Sequence, residues 1–345
     1  MPSAVTCTDL SFSWPDGTPV LDGLTATFGP GRTGLIGVNG AGKSTLLRII
    51  AGALAPAAGT VTVTGPVGYL PQDLTLDTAA PVAALLGVSG ALDALRAIEA
   101  GSAEPELYDV VGDDWDIEER ARGELDRLGL RHVDLAAPAG RLSGGEAVLT
   151  ALAALLLRRP PVLLLDEPTN NLDAGARARL YDAVREWPGV LLIVSHDRAL
   201  LSLVDQVADL SGGTVRMYGG NLDAYEDQLA AAQEAAGRAV TSAAAEVRRE
   251  KRDLAESQVK QARRDRQGRL AAQSMPPILA GARKRKAQET AGRTAGVHAM
   301  RLAAAQSRLA AAQDAVRDDA EIRLDLPGTV VPAAKQKKNC SGETT

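Results

Sequence analysis

Residues 37–45 read Gly-Val-Asn-Gly-Ala-Gly-Lys-Ser-Thr, a complete G-x-x-x-x-G-K-[ST] phosphate-binding loop. The chemistry that needs this string is the grip on a polyphosphate. Gly37, Gly40 and Gly42 let backbone N–H groups turn inward around phosphate oxygens, with Asn39 and Ala41 completing the cradle. Lys43 can reach the β- and γ-phosphates, and the Ser44 hydroxyl can bind Mg²⁺. Such a loop must hang between a strand and a helix. The run Arg32-Thr33-Gly34-Leu35-Ile36 suits a buried strand, and Thr45–Ala51 suits a helix whose N-terminus adds partial positive charge.

Five further pieces follow in order. Gln72 comes just after the apolar patch Val67-Gly68-Tyr69-Leu70. Leu142-Ser143-Gly144-Gly145-Glu146 opens a helical apolar stretch, Ala147–Leu157. Val162-Leu163-Leu164-Leu165 reads as a buried strand ending in Asp166-Glu167, with Asn170-Asn171-Leu172-Asp173 close behind. Val190–Val194 is another buried strand, ending in Ser195-His196-Asp197. Asp166, at a strand end near the expected Mg²⁺, can hold the ion through water. Ser143, Gly144 and Gly145 make a second small-residue loop at a helix start, suited to a γ-phosphate.

In this order and spacing the chain resembles the nucleotide-binding cassette of the ABC ATPases over about residues 4–220. More narrowly it resembles the ABC-F family, soluble members that act on ribosomes. Glu146, the segment Asp166-Glu167-Pro168-Thr169-Asn170-Asn171-Leu172-Asp173 and the run Ser195-His196-Asp197-Arg198 carry that resemblance. It implies an α/β P-loop NTPase cassette with a helical subdomain, followed by an antiparallel α-helical hairpin, using ATP and Mg²⁺. It further implies that Glu167 polarises the attacking water, that Gln72 contacts metal and water, and that His196 senses the γ-phosphate. Trp14, in Phe12-Ser13-Trp14, stands where the family stacks an aromatic ring on adenine, with Phe12 the competing candidate. Thr45, Glu146 and Asp173 join the implied ATP-binding set. The Ser143-Gly144-Gly145 loop is expected to serve the P-loop of an opposite cassette. The family often has Gln and Arg shortly after the signature Glu, whereas Ala147, Val148 and Leu149 follow here.

Composition agrees. At 345 residues about two domains are expected, and 45% hydrophobic content with 3% aromatic implies a core of Ala, Leu and Val. Cys7 and Cys340 fit no metal spacing. No run of about 18 apolar residues occurs, and no charged-then-apolar leader, so a cytoplasmic protein without a membrane span is expected.

Charge is unevenly placed. Residues 1–229 hold 16 Lys/Arg against 30 Asp/Glu, while 230–325 hold 19 against 12. The stretch 248–286 holds 13 against 4. It contains Arg248, Arg249, Lys251 and Arg252, then Arg263, Arg264 and Arg266, then Arg283, Lys284, Arg285 and Lys286. A basic segment on an acidic body is the footprint of a polyanion partner, here read as RNA, with a solvated helical face as the alternative.

The domain reading is a nucleotide-binding domain over 1–220, with its helical subdomain at about 78–157, then a basic hairpin over 221–320. Val240, Val247 and Leu254 recur at seven-residue spacing, as do Leu302, Leu309 and Val316. Two heptad-bearing helices, broken at Ser274-Met275-Pro276-Pro277-Ile278, give an antiparallel coiled-coil pair with its tip near 273–281. A helix of ~40 residues would reach roughly 60 Å. By resemblance this is the linker between two cassettes, which enters the ribosomal exit site and approaches peptidyl-tRNA and rRNA. Ile322–Val331 looks like the first strand of a second cassette, and the lysine-rich 335–345 suggests a truncated, disordered end over 321–345.

Three functions follow: an ATP-hydrolysing ABC-F-type protein acting on the ribosome, as translation factor or in antibiotic resistance; an ABC-transporter ATPase subunit; or an ATP- and RNA-binding remnant without turnover. Turnover would need a second cassette, by homodimerisation or from another chain. A DNA-repair ATPase fits poorly, because both the P-loop and the signature precede the long helices.

Overall fold

The computed structural model describes residues 4–75, 77–272 and 277–320. The expected second-cassette strand and tail at 321–345, and residues 273–276 of the expected tip, lie outside the described residues. Over the described chain there are two compact units, one closing at Tyr225 and the other opening at Glu226.

The first unit is mixed α/β. Strands β1 (Val5–Ser13) and β2 (Pro19–Phe28) form an antiparallel ladder, and β4 (Ala58–Val63) joins the other edge of β1 in a three-stranded sheet. Between them come β3 (Gly31–Ile36) and α1 (Lys43–Ile50). A second sheet has the order β5-β6-β7-β3-β8-β9, where β5 is Val67–Leu70, β6 Val162–Asp166, β7 Val190–Val194, β8 Gln206–Ser211 and β9 Thr214–Gly219. All pairs are parallel except the β8–β9 hairpin turning at Gly212-Gly213. Strands β6 and β7 are buried along their whole length, which is why they read as unbroken Val/Leu/Ile runs. Leu35, Leu46, Leu164, Leu192 and Phe28 meet in the core between the sheets and α1.

Between β5 and β6 lie the short helices α2 (Val82–Leu86), α3 (Ser89–Glu99), α4 (Pro105–Val111) and α5 (Ile117–Arg127), then α6 (Gly144–Arg158). Helix α6 is buried from Leu149 through Leu156, and Ala147 is buried before it. Apolar residues after Glu146 therefore answer to packing. Helices α7 (Ala174–Arg185) and α8 (Arg198–Leu201) follow β6 and β7.

The second unit holds most of α9 (Leu222–Ala272) and α10 (Pro277–Ala320). At 51 residues α9 is about 76 Å long. Pro277 opens α10, where its missing N–H has no intrahelical bond to lose. Val247 of α9 and Ala305 of α10 are buried, and Arg308 pairs with Glu246 at 2.6 Å. Val240, Leu254, Leu302 and Leu309 are partly buried at the expected seven-residue spacing. Val316, grouped with them in sequence, is exposed, and among the described α10 side chains the most buried is the small Ala305. Among the described residues no helix is long and apolar enough to cross a membrane.

Candidate functional site

The loop between β3 and α1 is shaped by two glycines. Gly37 has φ 150°, and a Cβ there would lie 2.3 Å from the Leu210 carbonyl oxygen. Gly42, at φ 99°, is the N-cap of α1, and a Cβ there would lie 2.6 Å from Val20 Cγ1. No side chain caps α1, so its first-turn N–H groups are left to the cleft. Lys43 is buried and its Nζ donates to the Gly37 and Val38 carbonyls at 2.8 and 3.1 Å. Burial lowers its pKa, opposed by Glu167 and Asp166.

Asp166 ends β6 and is fully buried. The Ser44 hydroxyl donates to its Oδ1 at 2.9 Å and the Tyr69 hydroxyl to its Oδ2 at 3.3 Å. Burial raises its pKa. A hydroxyl and a carboxylate side by side are a hard-oxygen set that suits Mg²⁺.

Glu167 follows in a left-handed conformation, φ 49°, unusual for a residue with a Cβ. Its N–H donates to the Val194 carbonyl at 2.8 Å, which fixes the kink against β7. Its carboxyl is pushed up to about 7, first by burial and further by the Asp166 charge. His196 Nε2 is 3.2 Å from Glu167 Oε1, and burial together with Lys43 holds the imidazole below its usual range.

These groups share one cleft of about 770 Å³. Trp14, Asn39, Gly40, Gly42, Lys43, Ser44, Thr45, Gln72, Glu167 and His196 all line it. Phe12 is buried in the core and meets Trp14 edge to face at 5.1 Å, so of the two rings Trp14 faces the cleft. Gly37 and Ala41 shape the loop from behind, and Asp166 sits behind Ser44.

The cleft does not include Ser143, Gly144, Gly145, Glu146 or Asp173. Ser143 caps α6, accepting from the Glu146 N–H, while the Ser143 N–H donates to Glu146 Oε2 at 2.8 Å. His132 Nε2 is 2.6 Å from the other Glu146 oxygen. The Glu146 carboxylate therefore serves its own helix. Asp173 caps α7, accepting from the Ala176 N–H at 2.7 Å. Neither carboxylate faces the P-loop of its own chain.

Sequence reasoning missed Val20, Thr169, Asn170, Arg177 and Asp197, which also line the cleft. No motif or spacing marks Arg177, which reaches the cleft from α7.

A family model described as "ABC transporter" matches residues 21–170. The tylosin resistance ATP-binding protein TlrC of Streptomyces fradiae is 39% identical over 242 residues, covering 63% of this chain and 43% of that protein. The energy-dependent translational throttle protein EttA of Mycobacterium tuberculosis is 34% identical, covering 61% and 41%. The probable ATP-binding protein YheS of Escherichia coli K12 is 34% identical, covering 62% and 31%. These matches support reading this chain as an ABC-F-type ATP-binding cassette protein. It spans less than half the length of these relatives. A solved "ATP binding subunit of ABC transporter" superposes with a TM-score of 0.52 at 24% identity, covering 66% of this chain and 93% of that one, which establishes the cassette fold.

Of the basic residues beyond the cassette, Arg248, Arg249, Lys251, Arg252, Arg263, Arg264 and Arg266 are exposed on α9. Arg283, Lys284, Arg285 and Lys286 are in α10, and their side chains lie outside the described residues.

Proposed function

We propose that this chain is a cytoplasmic ATP-binding and ATP-hydrolysing protein that acts on the ribosome. The observation that carries the ATPase reading is the single cleft joining Lys43, Ser44, Glu167 and His196, with Asp166 behind it. Lys43 and the free N–H groups of α1 would hold the phosphates, and Trp14 would stack on the base. Ser44 and Asp166 would hold Mg²⁺, whose charge would neutralise the phosphate oxygens. Glu167, with His196 against it, would take a proton from the attacking water while the bond from the terminal phosphorus to the leaving ADP oxygen breaks. The Ser143-Gly144-Gly145 loop lies outside the cleft of its own chain, which suits service to a second cassette.

The ribosome reading rests on two supports. TlrC is by name a resistance protein and EttA a translational throttle. The stretch 248–286 holds 13 Lys/Arg against 4 Asp/Glu, suited to phosphate contacts with rRNA or tRNA. We place the functional boundary near residue 220, with the hairpin pair as the RNA-facing part and its tip near 273–281. A transporter subunit has no need of such a basic helical pair. The test is ribosome cosedimentation of Glu167→Gln with ATP. ATP-dependent retention, lost on replacing Arg248, Arg249, Lys251 and Arg252 by Gln, is expected. Retention indifferent to nucleotide and to those residues would reject the reading.

A further inference from the structure

We propose that the face formed by the paired rings of Tyr108 and Trp115 is a docking surface for a basic, arginine-bearing protein segment. The chain has only ten aromatic residues, two Phe, five Tyr and three Trp. It turns two of them out to water here. Tyr108 is 43% exposed and Trp115 53%, and the two rings approach to 6.0 Å between centroids. The segment is not a poorly folded loop. Val111 of α4 and Ile117 of α5 are buried on either side of Trp115 and fix it to the body. Apolar residues thus point both ways, and only one set is used inside. A clustered aromatic surface of this kind marks a contact site more often than a scattered exposed Leu does.

The charge of the same stretch names the partner. Residues 104–119 contain eight carboxylates and no Lys or Arg. Asp114 and Asp116 are met by Arg120, and Glu118 by Arg122. Among the described residues Glu106, Asp109, Asp113 and Glu119 have no cation partner. Exposed rings within an acidic stretch that holds free carboxylates fit a guanidinium, which stacks on a ring and forks onto a carboxylate. A lysine ammonium gains less from both contacts. RNA is disfavoured here, because its phosphates would meet uncompensated negative charge. The basic helix α9 of a second copy is a poorer fit, since Glu250, Asp253, Glu256 and Asp265 interrupt its cations and Lys260 is already paired with Glu256. The surface owes nothing to ATP or to the ribosome reading, so its test needs neither.

The probes are fluorescein-labelled nona-arginine and nona-lysine, titrated with the full chain and read by anisotropy at several salt concentrations. Nona-arginine should bind about 3- to 10-fold more tightly than nona-lysine, in line with the stronger cation–π and forked contacts of guanidinium. Tyr108→Ala with Trp115→Ala should lose about 10-fold for nona-arginine and close the gap between the peptides. Glu106→Gln, Asp109→Asn, Asp113→Asn and Glu119→Gln together should weaken both. All these positions are exposed, and far-UV circular dichroism confirms folding of each variant. If removing the rings leaves the peptide preference intact, the face is only an acidic surface and the proposal fails. It fails equally if Trp115→Ala abolishes a self-association seen by sedimentation velocity, or weakens binding of an RNA duplex.

Discussion

The His196 backbone N–H donates to Glu167 Oε2 at 3.4 Å, while the His196 ring stands against Oε1 of the same carboxyl. The two residues are 29 positions apart, yet they follow neighbouring parallel strands whose ends pair Asp166 with Val194. The carboxyl is thus held by the turn of the adjacent strand rather than by its own loop. In its proposed role as base, a carboxyl fixed in this way would need no reorganisation when water arrives.

Glu167→Gln should keep ATP affinity and slow hydrolysis by about 10²- to 10⁴-fold, the usual range for loss of a general base. Single-turnover phosphate release checks this. His196→Ala should slow hydrolysis less, because the carboxyl keeps its contact with the residue 196 N–H. Wild-type rates in Glu167→Gln would remove it from the role of base.

Lys43→Ala removes a charge-assisted contact, typically about 1.5–3 kcal/mol. Calorimetry should show ATP binding weakened by one to two orders of magnitude. Gly42→Ala should weaken ATP as well without touching any charge. Its Cβ would lie 2.6 Å from Val20 Cγ1 at a φ that disfavours side chains, and strain of about 1–3 kcal/mol should lower the melting temperature too. Unchanged affinity in Gly42→Ala would mean the loop can reshape at little cost.

If one site takes its P-loop from one cassette and its Ser143 loop from another, Lys43→Ala and Gly144→Asp should each be inactive alone. Mixed, they should recover part of the activity through heterodimers holding one intact site. Gly144 is the better choice for this test than Gly145. A Cβ at Gly144 finds Asn171 at 3.9 Å, whereas at Gly145 it would be 3.0 Å from the Asn171 carbonyl oxygen. Activity per molecule that stays constant with concentration in a proven monomer would contradict the shared site.

The Glu146 carboxyl is held down at about 2 by the Ser143 N–H first and by His132 after it. A depressed carboxyl stabilises the fold above its unfolded value of 4.5, and that contribution fades as pH falls toward about 2. Denaturant melts of wild type and Glu146→Gln should differ by about 1 kcal/mol at neutral pH, the usual scale of a helix cap. The difference should vanish near pH 2. A gap that persists in acid would show that Glu146 acts through something other than its charge.

Strands β6 and β7 of the six-stranded sheet could be read from sequence because burial on both faces makes each an unbroken run, Val162–Leu165 or Val190–Val194. The β1–β2 ladder could not. Its register shifts between Cys7 and Leu10 and again around Phe12, and Asp9 turns to positive φ, so the two-residue alternation is broken. The cleft divides in the same way. Lys43, Ser44 and Glu167 stand in local strings with their own chemical logic. Val20, Asn170 and Arg177 reach the cleft only because separate elements converge there, and no local spacing records that. The heptads located the seam of α9 and α10, and Ala305, three residues after Leu302 on the same face, is buried there, although only that spacing sets it apart in an alanine-rich helix. Asp173 and Glu146 cap helices α7 and α6 within their own chain and lie outside its own cleft.

The left-handed backbone at Glu167 has an evolutionary corollary. A glycine would relax that bend, so Glu167→Gly should melt higher than the native chain while losing the proposed base. Laboratory selection for heat tolerance would drift toward that replacement, and selection for turnover would reverse it. At this position durability and catalysis are opposed by the shape of a single peptide unit.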